Sequence, residues 1–373
     1  LVYNCNTTLV RANFKKSIFV IQSKIMILSK VLEEFASCRE KAISGRYILP
    51  EFITNFVENL PEEFTVSIEG DSVEKRPIYS VKFGSGKTKI LMWSQMHGNE
   101  STTTKSLLDF CNFLQKNERQ NDVKNVLDNC TFFMIPMLNP DGSKMWTRNN
   151  ANDVDLNRDS QDLSQPESKL LCQIFNDFKP DFCFNLHGQR TIYGFENTGK
   201  PSILSFLAPS ANEERNFTFS RKQSASVITH IFKNLQDDLS GNIGLYNDAF
   251  NNNCVGDAFQ EAGVATILFE AGHYPNDYAR EKTRAYIFAS LWYAIEACQK
   301  DISYPVEDYK MIPEHSKCYC DLHSKGVAIE KLQYKETVED GAILFTPEPL
   351  EEVLGTGVFC HQEVDNASSF KLV

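Results

Sequence analysis

His97-Gly98-Asn99-Glu100 sets an imidazole and a carboxylate three residues apart, directly after the apolar run KILMWSQM at 89–96. Where a strand gives way to a helix, both side chains can reach one ion. A third candidate ligand, His187, ends a second apolar run, DFCFNLH at 181–187. Two imidazoles and a carboxylate leave a fourth position for water, the open arrangement of catalytic rather than structural zinc. One zinc ion per chain is therefore the expected cofactor. Each piece alone has an ordinary reading. A His-x-x-Glu arises by chance in many chains, and a histidine at a strand end is commonly a hydrogen-bonded core or surface residue. The combination carries the argument.

Glu270 ends another apolar run, VATILFE at 264–270, where an unpaired carboxylate is costly. A salt bridge to a neighbouring arginine would account for it structurally. The chemical reading makes it a general base, taking a proton from a metal-activated water and returning it to the leaving amine. Arg148, Asn157 and Arg158 lie in TRNNANDVDLNRDS, after the turn Asn139-Pro140-Asp141-Gly142. Loop arginines are ordinarily solvated, but these flank the candidate ligands, and guanidinium forks bind carboxylates bidentately. Arg148 could polarise a scissile carbonyl and stabilise its oxyanion. Asn157 and Arg158 would then hold a substrate's terminal carboxylate. Asp155 or Asp159 would orient this loop or support a ligand.

Elements able to position these groups follow from the hydrophobic rhythm. The runs at 89–96, 131–137, 181–187 and 264–270 each lead into one of the polar groups. Stretches of helical period lie between or after them, at 101–116, 165–178, 221–239 and 277–299. That alternation predicts βα units around a mixed or parallel sheet. Open α/β sheets bind ligands outside the carboxyl ends of their strands, which is where all four groups fall. Ser164-Gln165-Pro166-Glu167 reads as a capping box opening the second helix. FTVSIEG and RPIYSVKFGSG read as a hairpin joining the sheet edge. Residues 1–25 precede the first methionine, Met26, and read as a disordered tail or an upstream extension. Residues 26–303 form the catalytic domain on this reading, and 304–373 a small β-rich C-terminal module.

The 373 residues carry a net charge of −11 with 42% hydrophobic and 23% charged residues, the balance of a globular protein with a sizeable core. The charge lacks the basic footprint of a nucleic-acid or anionic-membrane binder. Eleven cysteines, an odd number spread through apolar segments, fit buried thiols in a reducing compartment better than a disulfide framework. A cytoplasmic location is the expectation. Nothing bears on oligomeric state.

HGNE, LNPDG, DLNRD, a strand ending in His and a final FEAGH together resemble the zinc metallocarboxypeptidase family typified by carboxypeptidase A, over about residues 64–299. The resemblance implies an α/β/α sandwich with a mixed, largely parallel central sheet. It implies His97, Glu100 and His187 as ligands, Arg148, Asn157 and Arg158 as substrate-binding groups, and Glu270 as base. It also implies a substrate-capping tyrosine, for which Tyr246 is the one candidate in 241–269. The context LHGQR and the short loop from Arg148 to Asn157 are nearer to bacterial-type cytosolic members than to secreted digestive enzymes. HGNE, DLNR and a β-rich C-terminal module also occur in the related aspartoacylase and succinylglutamate desuccinylase branch, whereas NPDG favours the carboxypeptidase side. The expected function is a zinc metallopeptidase that cleaves a peptide or peptide-like amide beside a free carboxylate. The alternatives are an N-acyl amino acid deacylase and a non-catalytic binding protein on the same fold. Asp257 lies in the region expected to set side-chain specificity, although Cys254 or Val255 could equally face the pocket. His315-x-x-Cys318-x-Cys320-x-x-His323 gathers four soft ligands, but Cys-x-Cys is tighter than ordinary structural zinc spacing.

Overall fold

The computed structural model describes residues 28–325, 329–351 and 358–372; the reading of residues 1–25 as a tail lies outside them. The first half of the chain supplies β1 (Thr65–Asp71), β2 (Pro77–Gly84), β3 (Thr88–Ser94), β4 (Cys130–Ile135) and β5 (Phe182–Gly188). After β5 come β6 (Tyr193–Phe195), β7 (Lys200–Pro201), β8 (Leu204–Leu207), β9 (Ile243–Leu245) and β10 (Ala265–Ala271). Eight of these form one sheet in the order β1-β2-β4-β3-β5-β10-β8-β9. Its centre, β4-β3-β5-β10, is parallel, and antiparallel pairings flank it. The hairpin β1-β2 occupies one edge.

Continuous apolar runs make these central strands because both faces of the sheet are covered. Along β3, Ile90 and Met92 join a core shared with helices Thr102–Asn117, Phe219–Leu235 and Glu281–Gln299. Leu91 and Trp93 point the other way, against Leu171 and Ile174 of helix Pro166–Phe178 and Phe259 of helix Val255–Glu261. The result is a three-layered α/β/α arrangement. Among the described residues, no helix is long and apolar enough to cross a membrane.

Two local expectations are corrected. No capping box opens helix Pro166–Phe178, where Gln165 precedes the first turn without a side-chain cap. Ser164 instead donates its hydroxyl to Asp159, and Glu167 is buried, accepting from the Val73 amide and from Asn150. The last long helix starts at Glu281 rather than near 277, because Arg280 adopts a left-handed φ of 59°. The Asp277 carboxylate then accepts from the amides of Glu281, Lys282 and Thr283, satisfying donors that a helix start leaves open.

The C-terminal strands are β11 (Ser316–Lys317), β12 (Tyr319–Lys325), β13 (Ile329–Glu339), β14 (Ala342–Pro349), β15 (Phe359–Val364) and β16 (Phe370–Leu372). Five of them form a second sheet, β15-β12-β13-β14-β16. The texture of the sequence changes near Tyr304, but the chain leaves the main core later, since Tyr309 and Ile312 are still buried in it. Nor is the second sheet a detached appendage. β11 pairs with β6, the Tyr319 hydroxyl donates to the Gly199 carbonyl at 2.5 Å, and Trp146, Tyr278, Ile343 and Phe345 form a shared apolar seam.

Candidate active site

His97 leaves the end of β3 through a turn that only glycine fits. A Cβ on Gly98 would sit 1.9 Å from the Gly142 carbonyl carbon, so the first motif is pressed onto the turn that follows β4. Gln95 locks the contact, donating to the Gly98 carbonyl at 2.7 Å and to the Ser143 hydroxyl at 2.8 Å. Asn139 caps the short helix Pro140–Met145 by accepting from the Gly142 amide at 2.8 Å. Asp141 is buried away from the cleft, accepting from Ser72, the Glu74 amide and Arg76. The Asn139–Gly142 group, which the sequence pattern counted among the chemical candidates, therefore serves as scaffold.

From this base three ligating atoms converge. His97 Nδ1 lies 3.0 Å from Glu100 Oε1, and His187 Nδ1 lies 3.1 Å from His97 Nδ1 and 2.9 Å from Glu100 Oε2. Two ring nitrogens and a carboxylate at such spacing form a donor set for one cation, and a zinc held ~2.0–2.1 Å from each nitrogen fits between them. His97 Nε2 meets Asp155 Oδ1 at 3.0 Å, and a proton on Nε2 leaves the Nδ1 lone pair free to ligate. Asp155 Oδ1 also accepts from the Asn157 amide at 2.9 Å, while Oδ2 takes Arg148 Nε and Nη2 at 3.1 and 3.0 Å. Burial works against its charge, yet His97 and Arg148 hold the Asp155 carboxyl far below the usual range. Burial pushes the His187 imidazole down, toward its neutral, ligating form.

Glu270 stands in register with His187 on the neighbouring parallel strand. Its Oε2 is buried with no hydrogen-bond partner, and no ion pair holds it among the described residues. Burial, then the nearby Glu100, push its carboxyl well above the ordinary value. Arg148, half-exposed, reaches Glu100 Oε1 and His97 Nδ1 at 3.2 Å each. Asn157 and Arg158 lie on the single turn Leu156–Arg158, capped by Asp155, and line the same cleft of about 330 Å³. Asn157 Oδ1 is committed to the Val255 amide, which leaves its amide group for a ligand.

Tyr246 also lines this cleft, its ring packed between Tyr193 and His315 at 5.4 and 4.3 Å. Val255 turns into the apolar core, whereas Cys254 and Asp257 line the cleft. Burial raises the Asp257 carboxyl to about 6. Tyr193 and Asn185 line it too, and sequence reasoning missed both. Tyr193 sits on a three-residue strand without periodicity, and Asn185 is hidden inside an apolar run. The cluster His315/Cys318/Cys320/His323 does not gather: His315 packs on Tyr193 and Tyr246, while His323 lies near Cys360 and Glu363.

A second chamber of about 240 Å³ adjoins the cleft and shares Glu100, Arg148 and the Gly188–Arg190 turn with it. Asn157 and Arg158 are absent from its lining, which includes residues of the C-terminal sheet.

A family profile described as zinc carboxypeptidase matches residues 49–311. Carboxypeptidase SOL1 of Arabidopsis thaliana is 32% identical over 130 residues, covering 32% of this chain and 26% of that protein. Carboxypeptidase E of Caenorhabditis elegans is 32% identical over 151 residues, covering 32% of each. Mus musculus carboxypeptidase D is 30% identical over 156 residues, covering 37% of this chain and 11% of that one. The matches thus span a third or less of these relatives' own length. Among solved structures, a metallo-carboxypeptidase from Burkholderia cenocepacia superposes with a TM-score of 0.54 at 17% identity, over 67% of this chain and 69% of that one. Carboxypeptidase A from Helicoverpa armigera gives 0.52 at 16%, over 75% and 81%. These two likenesses concern the fold.

Proposed function

Because the chain belongs to the zinc carboxypeptidase family, we propose that it hydrolyses the peptide bond next to a free C-terminal carboxylate. The observation that carries this is the convergence of His97 Nδ1, Glu100 and His187 Nδ1 beside an unpartnered Glu270 Oε2. Zinc is the family's metal, and these three side chains would hold it. The chemistry supplied by a bound zinc is Lewis acidity, which polarises a carbonyl and makes water acidic near neutral pH. Glu270 takes the proton of the attacking water on Oε2 and delivers it to the leaving nitrogen. Its raised affinity for protons suits both halves of that exchange. Arg148 donates to the carbonyl oxygen as negative charge builds on it. Asn157 and Arg158 hold the terminal carboxylate, and Tyr246 closes over the bound residue with Tyr193 behind it. Asp257, at the cleft wall, faces the side chain of the departing residue. We also place the enzyme in the cytoplasm, a reading supported by ten described cysteines, none of them in a disulfide.

The test compares free-acid and amidated peptides on the wild type and on Arg158→Ala. Amidation removes the charge that the guanidinium pairs with, a loss of roughly 1.5–3 kcal/mol, or about one to two orders of magnitude in kcat/KM. Arg158→Ala should lose most of that discrimination. N-acetylaspartate and N-succinylglutamate serve as the comparison set. Cleavage confined to those two would move the protein to the deacylase branch, and equal cleavage of acid and amide peptides would remove the clamp.

A further inference from the structure

The carboxylate clamp fixes the direction in which a substrate lies. With its terminal carboxylate on Asn157 and Arg158 and its scissile carbonyl beside Arg148, the chain upstream must leave past Arg148. There the second chamber opens. Its far wall is not part of the α/β/α layers. It comes from β13 of the C-terminal sheet, through Gln333, Tyr334 and Glu336, facing Arg46 and Arg280 from the catalytic layers.

This wall is built rather than incidental. Asp321, 1% exposed, accepts from the Tyr278 hydroxyl at 2.8 Å, the Tyr334 amide at 2.8 Å and Gln333 Nε2 at 2.5 Å. Gln333 Nε2 also reaches Thr191, on the segment that follows His187. Glu336 takes Arg46 on one carboxylate oxygen and the Trp146 indole on the other, at 2.5 and 3.0 Å. The side chains are thus held, but not all of their capacity is used. Arg280 is 3% exposed and donates from both terminal nitrogens to backbone carbonyls, yet its Nε has no partner. Gln333 Oε1 likewise has none. A buried donor and a buried acceptor without partners are costly to maintain unless a ligand completes them. A peptide backbone offers the complementary pair, a carbonyl oxygen and an amide N–H.

We infer that β13 of the C-terminal sheet forms the acyl-side binding site of the cleft, with Gln333 and Arg280 receiving the backbone of residues upstream of the scissile bond. The substrate class is then a peptide extending at least two residues upstream, rather than a single acylated amino acid. The inference rests on the carboxypeptidase reading for its direction, but its residues lie outside the proposed metal and clamp sets.

The experiment uses the zinc-loaded full chain and acetylated alanine peptides carrying zero to three residues before a common, well-cleaved C-terminal residue. Gln333→Met removes the amide while keeping side-chain length, and Glu336→Gln removes only a charge from the wall. In the wild type kcat/KM should rise at least tenfold from the shortest to the longest peptide. Each variant should cut that ratio fivefold or more, with melting temperatures recorded alongside. A wild-type ratio near one, or an undiminished ratio in both folded variants, overturns the inference. In parallel, calorimetry measures binding of the same series to zinc-loaded Glu270→Gln and to its double variants with Gln333→Met and Glu336→Gln. Length-dependent binding that the wall variants abolish, without cleavage of any peptide by the wild type, would leave the site standing while removing the carboxypeptidase reading. Absence of both cleavage and binding removes both.

Discussion

Asp155→Asn should be among the most informative single-atom changes in the molecule. Its Oδ1 faces two donors, His97 Nε2 and the Asn157 amide, and its Oδ2 faces two more, Arg148 Nε and Nη2. Asparagine has one accepting oxygen, so whichever way the amide turns, an NH2 group confronts two N–H donors. If it turns toward His97, the imidazole loses the acceptor that fixes its tautomer, and metal affinity should fall ~10–100-fold. If it turns toward Arg148, the guanidinium loses its anchor, and a misplaced oxyanion donor costs about 10²–10³ in kcat. The two outcomes separate in the assay. Chelator competition gives the zinc affinity, and turnover at saturating zinc gives the part belonging to Arg148. A variant within threefold of wild type in both measurements would refute the idea that Asp155 organises the site. Circular dichroism and melting temperature, followed in the same samples, separate a loss of fold from a loss of metal affinity or turnover.

Dialysis against a chelator should abolish activity, stoichiometric zinc should restore it, and His187→Ala should no longer retain metal; full retention by that variant would take His187 out of the ligand set. Glu270→Gln should bind about one zinc per chain and melt like the wild type while turning over orders of magnitude more slowly, and wild-type-like turnover would end the general-base assignment. The Asp257 carboxyl, raised to about 6 by burial, favours the protonated form when folded. The contribution of Asp257 to wild-type stability should therefore decline as pH rises from about 4 through 6, and the Asp257→Asn melting temperature should gain on wild type over that interval. A difference between the two proteins that is flat from pH 4 to 7 would contradict the shift.

The parts of this architecture that were legible in the sequence are those with a local physical cause. Apolar runs with both faces covered must be central strands, and the same runs end in the polar groups that the sheet then aligns at one edge. His97 and Glu100 were readable as a pair because three residues bring them onto one turn. His187 and Glu270, each with an ordinary explanation when taken alone, were readable in combination, because separate apolar runs deliver such groups to one sheet edge. What was hidden depends on contacts between segments distant in sequence. Ser164 and Glu167 match a capping box, but Asp159 and Asn150 compete successfully for them, and no local rule weighs that competition. The scaffold role of Asp141 rests on Ser72 and Arg76, some 65 residues earlier. Tyr193 lies on a short strand paired with β11, its partner there being Lys317, and a pairing between residues so far apart in sequence leaves no periodic trace. The C-terminal sequence announced strands, but not that one of them would line a chamber beside the candidate metal ligands.

The pairing of His187 with Glu270 across a parallel ladder also bears on which lengths of chain can change over evolutionary time. Side chains alternate faces along a strand, so one residue inserted into or deleted from β5 or β10 would turn a ligand or the base to the opposite side of the sheet. The ladder acts as a ruler with a two-residue graduation. Changes of length are then expected in the connections between strands, where Leu156–Arg158, the Tyr246 segment and Gln189–Arg190 line the cleft. Recognition can be re-cut there by lengthening or shortening a loop, while the spacing of ligand and base is carried forward unchanged by hydrogen bonds that touch neither substrate nor solvent.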